Sequence, residues 1–380
     1  MLAIRKTVLL LALIAVAIGL FRSPPASRFS VGFRPPTAPS GTAAEPVYRT
    51  QFMGRSEGLS VHSPTIVEME NGNLRAFWFG GSREGAADVA IRSSVFDGAT
   101  WSNDQPVIDR ALTQEPQRRY VGKLGNPTVM RADDGRLMLF YVTASYGGWA
   151  RAAINLIVSD DNGRTWSAPK RLITSPFMNV STLVRSPPFY FDDGTIGLPV
   201  YHEFAAKFGE LLRLDRDGTV LHKQRLSWGR YSLQPMIIPT DRDRAACFLR
   251  RAGWAPRKIM SLRTEDGGAT WTPPHFTDQN SPSAPVAGVA LDDGNVLIVF
   301  NNTTHERDNL ALAITKDHGR TFRILHHFEK DVFVPDEADS GVSYPTLITT
   351  ANGDFHLVYT YFREKIKHVH FNRAWLEQLR

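Results

Sequence analysis

One cysteine, Cys247, is all that this chain of 380 residues contains. An internal disulfide is therefore excluded, and so is a metal site built on paired cysteines. A dominant charge is missing as well. The formal net charge is +6, but Arg5, Lys6, Arg22, Arg28 and Arg34 against Glu45 account for +4 of it in the first 45 residues, leaving +2 for the rest. Bulk charge thus gives no reason to expect a nucleic-acid partner. Sustained helical periodicity is absent from the body of the chain, as is any long biased tract, which argues against helical bundles and disordered chains. The apolar run from Val8 to Phe21 is about 14 residues, short of the roughly 20 that a spanning helix needs.

The N-terminus does carry a pattern. Arg5 and Lys6 precede that apolar run, in the layout of an export signal's charged and hydrophobic regions. The expectation is an exported protein, periplasmic, secreted or membrane-anchored, with residues 1–22 acting as a cleaved signal or a retained anchor. Residues 23–45 read as an irregular proline-rich linker. Residues 46–380 are expected to form the folded domain.

Within that domain six prolines recur in similar settings: "HSPTIV" at Pro64, "GNPTVM" at Pro127, "RSPPFY" at Pro187, "LQPMII" at Pro235, "SAPVAG" at Pro285 and "SYPTLI" at Pro345. Each is followed by a turn. Five of these turns contain Asn-Gly or Asp-Gly pairs, which supply the positive φ angles of tight hairpins, while "TDRDRA" lacks glycine. An apolar, β-rich run comes next, then a loop and a third run. Short strands with regular turn signals predict an all-β fold, and six such units fit a six-bladed β-propeller. "VYRTQFM", ahead of the first unit, is placed to complete the last blade and close the ring.

The turn after the third run repeats an octapeptide: "SDDNGRTW" at Ser159–Trp166, "TEDGGATW" at Thr264–Trp271 and "TKDHGRTF" at Thr315–Phe322, with a degenerate copy, "SVFDGATW", at Ser94–Trp101. Its aspartate is suited to accept backbone N–H bonds, its glycine to a left-handed turn, and its aromatic ring to wedging against neighbouring strands. Copies spread around a ring cannot converge on one substrate. The octapeptide is read as scaffolding, on the face opposite the chemistry.

These repeats resemble the Asp boxes of the sialidase (neuraminidase) superfamily over nearly all of residues 46–380. The resemblance implies a glycosidase whose site lies where first strands begin and second strands turn into third ones. That face collects His62, Arg83, Glu84, Asp88, Arg185, His202, Glu203, Lys207, Gln234, Arg250, Asn301, Arg307, Tyr344 and Arg363. By resemblance, three arginines clamp a substrate carboxylate. The place of the first is held here by His62; Arg185 stands at the matching place of the third blade, and Arg250, Arg307 or Arg363 supply the remainder. Arg83, Gln234 and Asn301 are further candidates for substrate contact.

The resemblance also implies an aspartate acid/base, for which Asp88 is the nearest match and Glu84 the alternative. It implies a tyrosine nucleophile with a glutamate beside it, matched by Tyr344 and Glu203. Tyr344 is offset by one residue, which in a regular strand turns a side chain to the opposite face. The function expected is an exported sialidase-like hydrolase of an acidic or deoxy sugar, with an acidic glycan as partner and no cofactor or metal. Two alternatives remain open: a polysaccharide lyase acting beside a uronate, with His62, His202 or Tyr344 moving protons, and a non-catalytic glycan-binding propeller. In the last, Trp149 and Trp254 are candidates for stacking on sugar rings.

Overall fold

A computed structural model describes residues 2–22, 32–36, 45–54, 58–175, 179–204, 206–227, 231–253, 255–334 and 341–380. Six antiparallel sheets follow one another along the chain. Blade 1 consists of Ser60–Glu68, Leu74–Gly81, Ala90–Phe96 and Gln105–Ile108. Blade 2 is Lys123–Arg131, Leu137–Ser145, Gly148–Ser159 and Lys170–Arg171. In blade 3 the inner strand is split into Thr182–Val184 and Phe189–Tyr190, because Pro187 and Pro188 offer no N–H to the ladder. Ile196–Glu203, Lys207–Leu214 and Val220–Arg225 complete it. Blade 4 is Ser232–Pro239, Ala245–Arg251, Lys258–Thr264 and His275–Asn280; blade 5 is Ala287–Ala290, Val296–Phe300, Leu310–Thr315 and Arg323–Glu329.

Blade 6 combines Val342–Thr349, Phe355–Tyr361 and Lys365–Phe371 with Tyr48–Met53 from the other end of the sequence. Tyr48 lies opposite Phe371 and Met53 opposite Ile366. The fold is a six-bladed β-propeller in which this strand closes the ring, so neither terminus leaves an open edge.

The core is divided among the six seams between blades. Phe77, Phe79 and Ile91 meet Leu124, Leu137 and Tyr141 between blades 1 and 2. Met53, Trp78 and Phe96 meet Val358 and Ile366 where the ring closes. Asp-box aromatics extend this packing to the preceding blade. Trp166 stands edge-on to Phe77 at 5.7 Å, Phe322 against Phe248 at 5.8 Å, and Trp101 edge-on to His368 at 5.2 Å.

Each box aspartate ties its own turn. Asp317 accepts from the Arg320 and Thr321 N–H groups at 2.9 Å and from the Thr321 hydroxyl at 2.7 Å. Asp161 does the same for Arg164 and Thr165. Burial alone would raise the Asp317 carboxyl, but the Thr321 bonds outweigh it and hold the carboxyl below its ordinary value. A carboxyl depressed in the folded state stabilises the fold above the unfolded value, near pH 4, and that contribution disappears as pH falls through the folded value. Asp317→Ala is expected to cost on the order of 1 kcal/mol, by analogy with helix caps, with activity per folded molecule unchanged. Paired denaturation and activity measurements check this; a folded but inactive variant would contradict the scaffold assignment.

Glycine-free "TDRDRA" reaches the same end by another route. The Asp241 carboxylate accepts from Asp243 N at 2.9 Å and Arg244 N at 2.8 Å, closing the turn without a left-handed glycine.

The structure departs from the sequence expectation in two places. An eight-residue helix, Arg110–Gln117, joins blades 1 and 2. Asp109 caps it, accepting from Leu112 N at 2.8 Å, and the left-handed Arg118 ends it. Its brevity hid it from a search for sustained periodicity. The proline-rich segment 23–45 is also not wholly linker. Phe33 is fully buried at the seam of blades 3 and 4, 5.5 Å from Phe191 and 5.6 Å from Phe189. Its N–H donates to Arg242 O at 2.7 Å, and Arg34 pairs with Asp133. A single aromatic among prolines and serines found a core position that composition did not signal. Residues Leu2–Arg22 form a helix, and no described helix is long and apolar enough to cross a membrane.

Candidate active site

In blades 1, 2, 4 and 6 the inner strand loses register just before its proline. Proline lacks the N–H that would continue the ladder, and a bulge accommodates it. The residue before each proline takes a positive φ: Ser63 at 56°, Asn126 at 41°, Gln234 at 50° and Tyr344 at 56°. Such angles cost a non-glycine residue of order 1–3 kcal/mol and persist where the surrounding structure fixes them. Here they gather side chains from four blades. The bulge explains Tyr344: offset by one residue, it is nevertheless re-aimed into the central cluster.

At the centre of that cluster is the Tyr344 phenol. Arg250 Nη1 donates to its oxygen at 3.2 Å, and Gln234 Nε2 approaches at 3.5 Å. Arg250 also donates to Gln234 Oε1 at 3.2 Å and to the Ser283 hydroxyl at 3.1 Å. The guanidinium carbons of Arg185 and Arg307 lie 5.4 and 5.6 Å from the Tyr344 ring centre. Burial pushes this phenol up, yet the cations Arg250 and Arg307 and the Gln234 bond together bring it below its ordinary value. A buried tyrosine that ionises more readily than a free one is chemically poised.

His62 lies against Tyr344 with ring centres 4.2 Å apart and planes tilted by 55°, and among the described residues neither ring nitrogen has a partner. Burial, then the surrounding Arg363, Arg307, Arg185 and Arg250, drive its pKa far down, so the imidazole is neutral. Arg185 is 2% exposed; its Nη2 donates to Pro345 O at 2.5 Å and its Nη1 to the Thr346 hydroxyl at 3.2 Å. Burial lowers its pKa to about 10. Arg185 thus fastens blade 3 to the strand that carries Tyr344, while its Nε has no partner among the described residues. Unpartnered polar atoms at His62 and Arg185 mark a place where a ligand's polar groups would complete the set.

Of the two loop carboxylates, Glu84 joins the arginines, through Arg363 Nη1 at 2.6 Å. Asp88 does not: its oxygens accept from the Ser82 N–H and hydroxyl at 2.9 and 3.0 Å, within its own loop. Those bonds hold it below the usual carboxylate range, and it serves as a turn cap. Arg83 is exposed on the same loop. Glu203 pairs with Lys207 at 3.1 Å across a hairpin, and among the described residues no carboxylate bonds the Tyr344 oxygen. Gln234 occupies that place. His202 stacks on Phe208 at 4.7 Å, away from the cluster. Asn301 is a structural tie, its amide donating to Asn309 O at 2.5 Å and Val342 O at 2.7 Å. Trp149 packs partly buried against the core of blades 2 and 3, and Trp254 lies outside the described residues.

Two members escaped the sequence reading. Tyr201, buried, accepts from Asn126 Nδ2 at 3.1 Å, and burial drives its phenol strongly upward, the reverse of Tyr344. Asn126 was findable: it precedes Pro127 as Gln234 and Tyr344 precede Pro235 and Pro345. Tyr201, inside an apolar strand, gave no signal.

Among the described residues, one set has metal-ligand spacing: Asp354, His356 and His370, at the closure seam. It is satisfied internally. Trp101 Nε1 donates to His368 Nδ1 at 3.1 Å, which places the His368 proton on Nε2, 3.0 Å from His356 Nδ1. His370 bonds Asp354 at 2.8 Å, and the His356 and His370 rings lie nearly parallel at 4.4 Å. Parallel stacked rings do not aim both lone pairs at one ion.

Residues 72–357 match the BNR repeat-like domain. Among solved structures the chain is similar to a protein of unknown function from Dyadobacter fermentans (TM-score 0.66, 15% identity, covering 86% of this chain and 99% of that one). It is also similar to the Hadza microbial sialidase Hz136 (TM-score 0.65, 18% identity, 82% of this chain and 65% of that one). A third is the Trypanosoma rangeli sialidase (TM-score 0.62, 15% identity, 91% and 59%). The chain spans less than two thirds of the length of either of these two sialidases.

Proposed function

This chain belongs to the BNR repeat-like family of Asp-box propellers, and from its arginine-flanked tyrosine we propose that it is a glycoside hydrolase of acidic sugars. The observation that carries the reading is the Tyr344 phenol, acidified by Arg250 and Arg307 inside a ring of cations. Arginine forks suit a carboxylate or sulfate. His62 and the Arg185 Nε, which have no partner among the described residues, would bond that group or the hydroxyls beside it.

In the proposed reaction, the Tyr344 phenolate, its proton already lost to solvent, attacks the anomeric carbon as the glycosidic C–O bond breaks. Glu84, protonated and released from Arg363 when substrate binds, gives its proton to the departing oxygen. Water then releases the sugar from tyrosine, passing a proton back to Glu84. With Gln234 in place of a carboxylate beside the phenol, activation falls to the cations, which stabilise the phenolate. We also propose that the helix Leu2–Arg22 directs export, so that the substrate is an extracellular or periplasmic glycan.

The same substitution favours a second reading. A neutral histidine packed against an acidic tyrosine, with arginines to neutralise a uronate, also suits proton abstraction and elimination. Product analysis on a panel of acidic glycans, run on fractions of expressing cells, decides between them. Hydrolysis is expected to give new reducing ends without ultraviolet absorbance. An unsaturated uronate chromophore would replace hydrolysis by elimination, and binding without turnover would remove both.

A further inference from the structure

Away from the axis, a second cleft of about 560 Å³ opens on the seam between blades 2 and 3. Arg119, Arg151 and Arg171 line it. Among the described residues none of these three guanidiniums has an ion-pair or hydrogen-bond partner. Among the described residues most other arginines sit against a carboxylate or a carbonyl, as Arg92, Arg136, Arg213 and Arg242 do. Arg171 is half-buried, and burial, with Arg119 next to it, lowers its pKa. Three like charges around one hollow repel one another, and an anion in the hollow would turn that repulsion into attraction.

The walls are not those of a simple charged surface. Phe204 and Ile173, in the lining, are 59% and 50% exposed. On the rim Tyr146 is 68% exposed and lies flat on Tyr120, ring centres 4.1 Å apart and planes 13° apart. Exposed apolar groups clustered beside unpaired cations mark a binding surface rather than a solvated one. Sugar rings present an apolar face suited to such a platform, and their carboxylates or sulfates match the arginine fork.

Topology connects this cleft to the central site. The turn after Ser145 joins the second and third strands of blade 2, and the turn after Glu203 joins those of blade 3; both lie on the face that carries Tyr344. Asn126 and Tyr201, from the same two blades, are bonded to each other within the central cluster. Cleft and central site therefore share one face and the same pair of blades.

We propose that Arg119, Arg151 and Arg171 form a distal subsite that holds the continuing chain of an acidic polysaccharide while one of its sugars occupies the central site. The proposal rests on the reading of the central site as one for an acidic sugar, and makes the substrate a polymer rather than a short side chain.

The test measures binding of an oligogalacturonate hexamer and a chondroitin sulfate hexamer to the whole protein by calorimetry. Cellohexaose serves as the neutral control and a single-stranded oligonucleotide as the competing polyanion. Arg119→Gln/Arg151→Gln/Arg171→Gln is expected to weaken binding of at least one acidic hexamer roughly tenfold or more. It should also flatten the salt dependence, while the melting temperature stays unchanged. The carboxylate and sulfate arms identify which anion the cleft takes. Arg250→Gln separates the two sites: it should lose turnover yet keep cleft-dependent binding. Undiminished hexamer binding in the triple variant overturns the subsite, as does absence of hexamer binding in the wild type or equal binding of cellohexaose. Tighter binding of the oligonucleotide, lost in the same variant, would make the cleft a nucleic-acid surface instead. Wild-type turnover in Arg250→Gln, with cleft binding intact, would sink the central reading alone.

Discussion

Tyr344→Phe is expected to lower turnover of the acidic substrate by about a thousandfold or more, equivalent to roughly 4 kcal/mol of barrier. The variant removes one oxygen and nothing else. Arg250 and Gln234 remain bonded to each other at 3.2 Å, so the pocket keeps its shape. Arg185 still fastens the strand through Pro345 O and the Thr346 hydroxyl. KM should therefore change little while kcat collapses, the signature of a group used only in the chemical step.

The pH profile supplies an independent readout. Because the Tyr344 phenol lies below its ordinary value, the rate should rise with pH as phenolate forms, on a limb displaced to lower pH. Removing a flanking cation destabilises phenolate, so Arg250→Gln should move that limb to higher pH and reduce the rate at neutrality. A Tyr344→Phe enzyme with wild-type turnover, or a limb unmoved in Arg250→Gln, would take the tyrosine out of the mechanism.

Phe33→Ala is expected to destabilise the propeller by about 3–5 kcal/mol, the range for truncating a buried phenylalanine. Phe33 is wholly enclosed, and its neighbours cannot close over the gap easily. Phe189 and Phe191 belong to the inner-strand side of blade 3, and Gly268 belongs to the Asp box of blade 4. A Cβ added at Gly268 would come within 3.0 Å of the Phe33 ring, which shows how closely that box turn is fitted to it. The adjacent Arg34–Asp133 pair is partly exposed on both sides, so Arg34→Ala should cost under about 1 kcal/mol. Chemical denaturation of both variants checks the contrast. Equal midpoints for Phe33→Ala and wild type would mean that the segment is merely laid on the surface.

The distal cleft and the docked segment have the same origin in the fold. Both depend on residues apart in the sequence: Arg119 follows a helix while Arg151 and Arg171 stand on two strands, and Phe33 meets partners about 160 and 235 positions away. Neither has a local pattern. The Asp boxes are the opposite case, because each box aspartate bonds groups within four residues of itself. Local chemistry writes a local motif.

Sequence by itself determined the blade count, the scaffold role of the octapeptides and the face on which the candidate site residues gather, because proline phasing and hairpin turns are short-range constraints repeated six times. It also named Tyr344, Arg250, Arg307, Arg185 and His62, whose positions follow from that phasing. Tertiary structure alone decided which of the charged residues converge. The bulge that re-aims Tyr344, the choice of Glu84 over Asp88 and the capture of Glu203 by Lys207 are contests between neighbouring partners at separations of a few ångströms. Gln234 taking the place beside the phenol, and Tyr201 entering from an apolar strand, belong to the same class. A repeat fixes where a side chain starts; only the packed ring fixes what it reaches, because the partners come from blades far apart in sequence.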